Sequence, residues 1–216
     1  MYKFLLGLSL VGILGFSSCT SKPAKLPIYG NREASKKMVD GKEVVDTIYQ
    51  TIPPFSFVDQ DSNIITNETY RGKIYISDFV FLSCGSICPK MNVQMQRLYD
   101  KYASNPDIIF LTHTIDPERD TIARIKKFMK AHKAETAKWH FVRGTPEEVL
   151  SIANKGYFSI AYKDSVNAEP GAEYQHEGWF VLVDKQQRIR SMKDGTDQFE
   201  VDKLIKDIDL LLQEKE

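Results

Sequence analysis

A strand-like run that stops at a pair of cysteines does most to limit what this chain can fold into. Residues 73–82 are β-rich and apolar at most positions, as a strand buried on both faces requires. The run ends in Ser83-Cys84-Gly85-Ser86-Ile87-Cys88-Pro89, a Cys-x-x-x-Cys-Pro turn. Past Pro89, the residues Met91, Met95, Leu98, Tyr99 and Tyr102 recur at helical spacing. A dithiol therefore sits where a central strand hands over to a helix N-terminus. Backbone N–H groups and the helix dipole there stabilise a thiolate, which makes a thiol more acidic. The thiolate is both the nucleophile of disulfide exchange and the form that binds metal. Such a chain handles electrons, a soft metal ion, or both.

Strands and helices alternate around this junction. Residues 52–59 read as a leading strand, with a turn around Asp61-Ser62-Asn63. Residues 108–114 form a second central strand, and Asp120 is expected to cap a helix whose apolar face carries Ile122, Ile125, Phe128 and Met129. Residues 139–142 make the next strand. Thr145-Pro146-Glu147-Glu148 joins a capping box to a proline at the first helical position, and that helix is expected to run to about Lys155. Residues 179–184 and 187–191 form a hairpin. Phe199, Leu204, Ile205, Ile208, Leu211 and Leu212 mark a closing amphipathic helix. The order β-α-β-α-β-α-β-β-α, with the cysteines after the first central strand, is the thioredoxin-like plan. It is an α/β fold with a central mixed sheet flanked by helices.

The third cysteine has a different setting. Residues 1–18 place Lys3 before the apolar run 4–16 and close on Ser17-Ser18, directly ahead of Cys19. A charged start, a modest apolar core and small residues at its end describe an export signal, too short for a comfortable membrane span. A cysteine just after the small pair resembles a bacterial lipoprotein signal, in which cleavage leaves Cys19 as the lipidated first residue. The alternative is an ordinary secretory signal with an incidental cysteine. Acyl chains at about 0.8 kcal/mol per buried CH₂ give firm anchoring. Residues 19–46 are polar without sustained periodicity and read as a flexible membrane tether, leaving 47–216 as the domain. The expected location is the bacterial cell envelope, with the domain outside the cytoplasm.

In an oxidising compartment, Cys84 and Cys88 tend to pair. A bridge across so short a loop removes little unfolded-state entropy, so a purely structural disulfide is the poorer explanation. Twenty-nine basic side chains balance 29 acidic ones. No basic stripe or aromatic-interleaved basic patch points to nucleic acid, so no such partner is expected.

The segment Phe79-Val80-Phe81-Leu82-Ser83-Cys84-Gly85-Ser86-Ile87-Cys88-Pro89 resembles the signature of the Sco (SenC) proteins. These are membrane-tethered thioredoxin-fold proteins that serve copper delivery to cytochrome oxidase. Thr114-Ile115-Asp116-Pro117-Glu118-Arg119-Asp120-Thr121 is similar to the family's Asp-Pro-x-Arg-Asp-Thr turn, and Gly156-Tyr157-Phe158 to its aromatic segment. His176, three residues before Trp179, falls where the family keeps its metal-binding histidine. The resemblance spans roughly residues 47–212. It implies a copper ion, Cu(I) and/or Cu(II), on Cys84, Cys88 and His176. As partners it implies the copper-site subunit of cytochrome c oxidase and other envelope thiol or copper proteins, besides membrane lipid through Cys19. The family commonly has aspartate before its histidine and serine or threonine after it. Here Gln175 and Glu177 stand in those places, and an altered surrounding changes how a histidine is oriented and how basic it is.

The chemistry suits these residue types. Cu(I) is soft and favours thiolates, and imidazole suits both copper states. With Cys84 in a loop ahead of the helix, the two sulfurs can close to a disulfide or open around a metal at about 2.3 Å. Three functions follow from different classes. One is a copper-binding factor that delivers copper to cytochrome c oxidase or reduces its copper-site cysteines. Another is a general extracytoplasmic thiol–disulfide reductase without obligatory copper. The last is a thiol peroxidase, which needs one activated cysteine in an oxyanion-stabilising shell and finds no matching motif around Cys84. Elsewhere, His113 is expected to pack or cap, His132 to complement a helix dipole and His140 to sit on a strand face. Asp116 and Arg119 are expected to organise the turn beside the site, and Met192 to pack. Asp78 is either a proton acceptor near the dithiol or a mark of strand irregularity.

Overall fold

A computed structural model of the protein describes residues 25–164, 166, 168 and 173–214. Two small hairpins come first: β1 (Arg32–Val39) with β2 (Lys42–Tyr49), then β3 (Ser56–Val58) with β4 (Ile64–Thr66). The main alternation is β5 (Ile74–Val80), α1 (Cys88–Tyr102), β6 (Ile108–Thr114), α2 (Ile122–Ala131), β7 (Trp139–Val142) and α3 (Pro146–Gly156). A third hairpin, β8 (Ala161–Lys163) with β9 (Tyr174–His176), precedes β10 (Trp179–Val183), β11 (Ile189–Asp194) and α4 (Gln198–Gln213).

The five-stranded sheet has the order β11-β10-β5-β6-β7. Strands β5, β6 and β7 are parallel, whereas β10 runs antiparallel to both β5 and β11. This mixed sheet with helices packed on it is the thioredoxin-like α/β plan expected from the alternation. Every residue of β5 and β6 is buried, matching the near-continuous apolar runs that parallel central strands carry. Helix α1 buries Met91, Met95, Leu98, Tyr99 and Tyr102, the face set by their spacing. Each such large apolar side chain contributes about 1.5–3 kcal/mol on full burial. Arg97 reaches Asp202 at 2.7 Å, and the Tyr102 hydroxyl reaches Asp209 at 2.7 Å, so α1 and α4 lie side by side.

Four local expectations change. Residues 32–46, read as tether, form β1 and most of β2, and the expected boundary after residue 46 falls within β2. Both strands are exposed along nearly their whole length, so no apolar alternation announces them. The signal that was present is Asp40-Gly41: their φ angles of 51° and 77° make the two-residue turn that Asp-Gly favours in hairpins. Asp120 does not cap α2; Thr121 does, accepting from the Arg124 backbone N–H at 3.4 Å. Asp120 is instead buried, where the Thr114 hydroxyl at 2.6 Å and the Leu82 N–H at 3.0 Å donate to it. Phe199 stands 77 % exposed at the start of α4, outside the buried face of Val201, Leu204, Ile208 and Leu211. Finally, residues 161–163 and 174–176, for which the sequence announced no strand, pair as β8 and β9.

Candidate metal centre

Core packing delivers the two sulfurs. Strand β5 ends at Val80, Phe81 stays buried, and the turn that follows presents Cys84 half-buried. Cys88 is the first residue of α1 and only 2 % exposed. Ile87 is the N-cap and contributes no side-chain bond, and Pro89 lies in the first turn, where its missing N–H costs nothing. The positive end of α1 is therefore left to the sulfurs.

A different part of the chain brings the imidazole. His176 ends β9, on a hairpin outside the main sheet. One ligand atom each from Cys84, Cys88 and His176 lies within 4.8 Å of the others. The Cys88 Sγ to His176 Nε2 distance is 3.2 Å. His176 Nδ1 sits 2.9 Å from the Glu177 carbonyl oxygen. A carbonyl only accepts, so Nδ1 carries a proton and Nε2 faces the sulfurs. There Nε2 is the ring atom placed to offer a metal its lone pair. The Phe81 ring meets the imidazole edge-on at 5.9 Å and holds its plane.

The two thiols differ. Burial works against ionisation of Cys84, yet hydrogen bonds from His176, Ser86 and the Cys88 backbone outweigh it and bring the thiol down to about 5. Cys88 moves the other way, because its deeper burial pushes the thiol well up and negative charge at Cys84 and Asp78 adds to this. The cleft over the site, about 260 Å³, is lined by Phe81, Cys84, Ser86, Ile87, Tyr174 and His176. That is below the usual size of a small-molecule pocket and suits an ion or an incoming side chain. A larger groove of about 720 Å³, between residues 53–57 and α3, is lined by neither thiol nor imidazole.

Glu177 explains how a departure from the family pattern is accommodated. Its carboxylate accepts from the Ile160 N–H at 3.0 Å and the Trp179 indole N–H at 2.8 Å, while its own N–H donates to the Ile160 carbonyl. The residue after the histidine thus fixes the end of β9 to two neighbours. Gly178 follows in a tight approach, since a Cβ there would come within 2.9 Å of Thr196 Cγ2. Gln175, the other departure, is exposed.

The remaining candidates are not part of the three-atom cluster, although the Asp78 carboxyl is near enough for its charge to act on Cys88. Asp78 pairs regularly with Thr112 across β5 and β6, so it marks no strand irregularity. Burial pushes its carboxyl up to about 7, although the Thr112 hydroxyl donates to it at 2.6 Å. His113 stacks on Phe79 at 4.5 Å, and burial holds its imidazole down at about 3, so it is a neutral packing residue. His140 Nδ1 lies 2.6 Å from the Tyr70 hydroxyl, and His132 ends α2 with Nδ1 2.8 Å from the Phe128 carbonyl. Met192, opposite Val181, packs against the core. Asp116 and Arg119 do organise their turn, with Arg119 Nη1 donating to Asp116 at 3.0 Å. Cys19 lies outside the described residues. Three contributors escaped the sequence reading: Ser86, 3.4 Å from Cys84 Sγ, and the acids Glu177 and Glu173. Only Glu177 had left a trace, as a departure from the pattern.

The SCO1/SenC family model matches residues 46–213. A SCO1 protein homolog of Bacillus subtilis is 28 % identical over 172 residues, covering 78 % of this chain and 86 % of that protein. The solved structure of BsSco, described as a Sco-family cytochrome c oxidase assembly protein with a disulfide switch, superposes with a TM-score of 0.64. Its identity is 27 %, over 76 % of this chain and 95 % of that one. Arabidopsis thaliana ScoI, solved with copper bound, gives a TM-score of 0.60 at 24 % identity, over 74 % and 99 % of the two chains. With the thioredoxin-like sheet, the strand-to-helix dithiol and this match over most of its length, the chain belongs to the SCO1/SenC family.

Proposed function

We propose that this protein is a membrane-anchored copper-binding protein that delivers copper to cytochrome c oxidase or reduces its copper-site cysteines. One observation carries the reading: two sulfurs and an imidazole nitrogen converge within 4.8 Å, with Nε2 turned inward. Two thiolates and one imidazole fit Cu(I), and the nitrogen extends the set to Cu(II). The copper held by the Arabidopsis Sco protein and the assembly role given for BsSco support the same assignment. The proposed anchoring, with lipid on Cys19 and the domain in the envelope, is supported by the apolar run 4–16 and the Ser17-Ser18-Cys19 junction.

The contrast between the thiols favours the reductase role as a second reading. Cys84, acidic and reachable, attacks a partner's disulfide and forms a mixed disulfide. Cys88 then resolves it, releasing the partner's dithiol. Two electrons pass to the partner, and Cys84–Cys88 is left as the disulfide. Copper binding and disulfide formation use the same sulfurs and therefore exclude each other.

The deciding experiment titrates the reduced full chain, purified in detergent, with Cu(I) and with Cu(II). One copper per chain is expected, with a sulfur-to-Cu(II) charge-transfer band that vanishes once the disulfide has formed. Absence of copper uptake in either state would give the site to the general reductase. For the anchor, Cys19→Ala should leave the membrane fraction or stall in processing; normal maturation and retention would remove the lipoprotein assignment.

A further inference from the structure

The turn at residues 116–120 touches both halves of the metal centre. Its Asp120 carboxylate takes the Leu82 N–H at 3.0 Å, two residues before Cys84, and the Arg124 guanidinium donates to Ser83 Oγ at 3.3 Å. On the other side, the Arg119 guanidinium donates through Nη1 and Nη2 to the two Glu173 oxygens at 2.8 and 2.9 Å, three residues before His176. Arg119 is itself held by Asp116, which is 1 % exposed. A second contact joins the same turn to the other strand of the hairpin. Lys163 of β8 lies 3.7 Å from Glu118 and sits over the Tyr174 ring at 5.2 Å.

We infer that Arg119 is a positioning residue for copper: through Glu173 it sets where the β8–β9 hairpin holds His176 relative to the cysteine turn. The physical case is one of differing support. Strands β8 and β9 have three residues each and lie outside the five-stranded sheet, so that sheet's hydrogen bonds do not fix their place. The planar guanidinium fork matches two carboxylate oxygens at once, which fixes an orientation as well as a distance. Glu173 is 21 % exposed and Arg119 40 %, while Asp116 anchors the network from the interior. A partly buried, bidentate network of this kind is worth more than a single exposed pair. The cysteines need no such device, because β5 and α1 place them.

The inference rests on the copper reading and makes a distinct demand. Cu(II) binding, which needs the imidazole, should depend on Arg119 and Glu173; Cu(I) binding and the disulfide, which the sulfurs sustain, should not. The test compares wild type, Arg119→Gln, Glu173→Gln and the double variant as full chains in detergent. The readouts are Cu(II) and Cu(I) affinities, the charge-transfer and electron paramagnetic resonance spectra, and the Cys84–Cys88 reduction potential. Each single change should weaken Cu(II) about tenfold, the low end for outer partners of metal ligands, and shift the Cu(II) spectra. The double variant should also lose about tenfold rather than a hundredfold, because both changes break one contact. Cu(I) affinity and the reduction potential should stay within about twofold of wild type. Wild-type Cu(II) affinity and spectra in Glu173→Gln, a change at the surface end of the contact, would overturn the inference. Equal loss of Cu(I) and Cu(II) would overturn it too, as general loosening of the site. If wild type itself takes up no copper, the copper reading falls first and the inference with it.

Discussion

The dithiol and the histidine reach the same centre from regions built in opposite ways. Cys84 and Cys88 flank the join between β5, buried at every position, and α1, whose inner face is packed under the sheet. His176 ends a three-residue strand whose pairing partner is equally short. Its place depends on two core side chains, Ala161 and Tyr174, and on polar contacts: Asn154 to Ala161, Glu177 to Ile160 and Trp179, and Glu173 to Arg119. Moving the sulfurs means disturbing the main sheet and α1, whereas moving the imidazole means shifting a short hairpin held by two core side chains and a few polar contacts. The sulfur chemistry is therefore constrained by the fold, and the nitrogen is the adjustable ligand.

Cys88→Ser tests the fixed side and carries the largest expected effect. The disulfide is lost entirely, and copper keeps one sulfur and one nitrogen, so tight binding of either oxidation state should disappear. Thiol quantitation and copper titration together check it, and retained tight binding would mean that the core-held pair is not the centre.

The contrast inside the pair can be read by alkylation against pH. With Cys84 near 5 and Cys88 pushed well up by burial, Cys84 should label at least about a hundredfold faster at pH 7. Its rate should be flat above about pH 6 and fall about tenfold per unit below 5. Equal rates, mapped by mass spectrometry, would erase the asymmetry on which attack by Cys84 and resolution by Cys88 depend.

On the adjustable side, His176→Ala should weaken Cu(II) by at least about a hundredfold and Cu(I) by much less, because two thiolates still hold the softer ion. The disulfide should form as in wild type. Glu177→Ala removes the hairpin's anchor without removing a ligand, and about tenfold on Cu(II) is expected. Unchanged affinity in both variants would mean that the hairpin is a bystander.

A readout of stability rather than of copper belongs to Asp78, on the core side. Burial raises its carboxyl to about 7, so the folded protein keeps a proton that the unfolded chain has already released. Stability should then fall by about 1.4 kcal/mol per unit as pH rises from about 4 to about 7. Asp78→Asn should flatten that slope, and denaturant melts at several pH values measure it. A slope unchanged by the substitution would mean that Asp78 ionises as it does in solvent.

The elements legible in the sequence are those whose pattern is dictated by burial. Residues 108–114 and 139–142 match β6 and β7 because strands buried on both faces must be apolar throughout. The Thr145–Glu148 capping box appears as read, since a helix start needs partners for its own N–H groups wherever it lies. The dithiol at the strand-to-helix junction was equally legible, because a spacing of four across a turn is local. Elements without a core face were not. Strands β1 and β2 present solvent-exposed side chains, and only Asp40-Gly41 marked them.

What the sequence determined by itself is therefore the sheet, its helices and the pair of sulfurs, each set by neighbours a few residues apart or by the apolar period of one element. The tertiary structure decided the rest. It turned Nε2 of His176 toward sulfurs 88 and 92 residues earlier in the chain, split the acidities of two near neighbours through unequal burial, and moved Asp120 from an expected cap to a buried acceptor for the cysteine turn. Each of these depends on which distant groups exclude water from a site and which donate to it, and no local pattern records that.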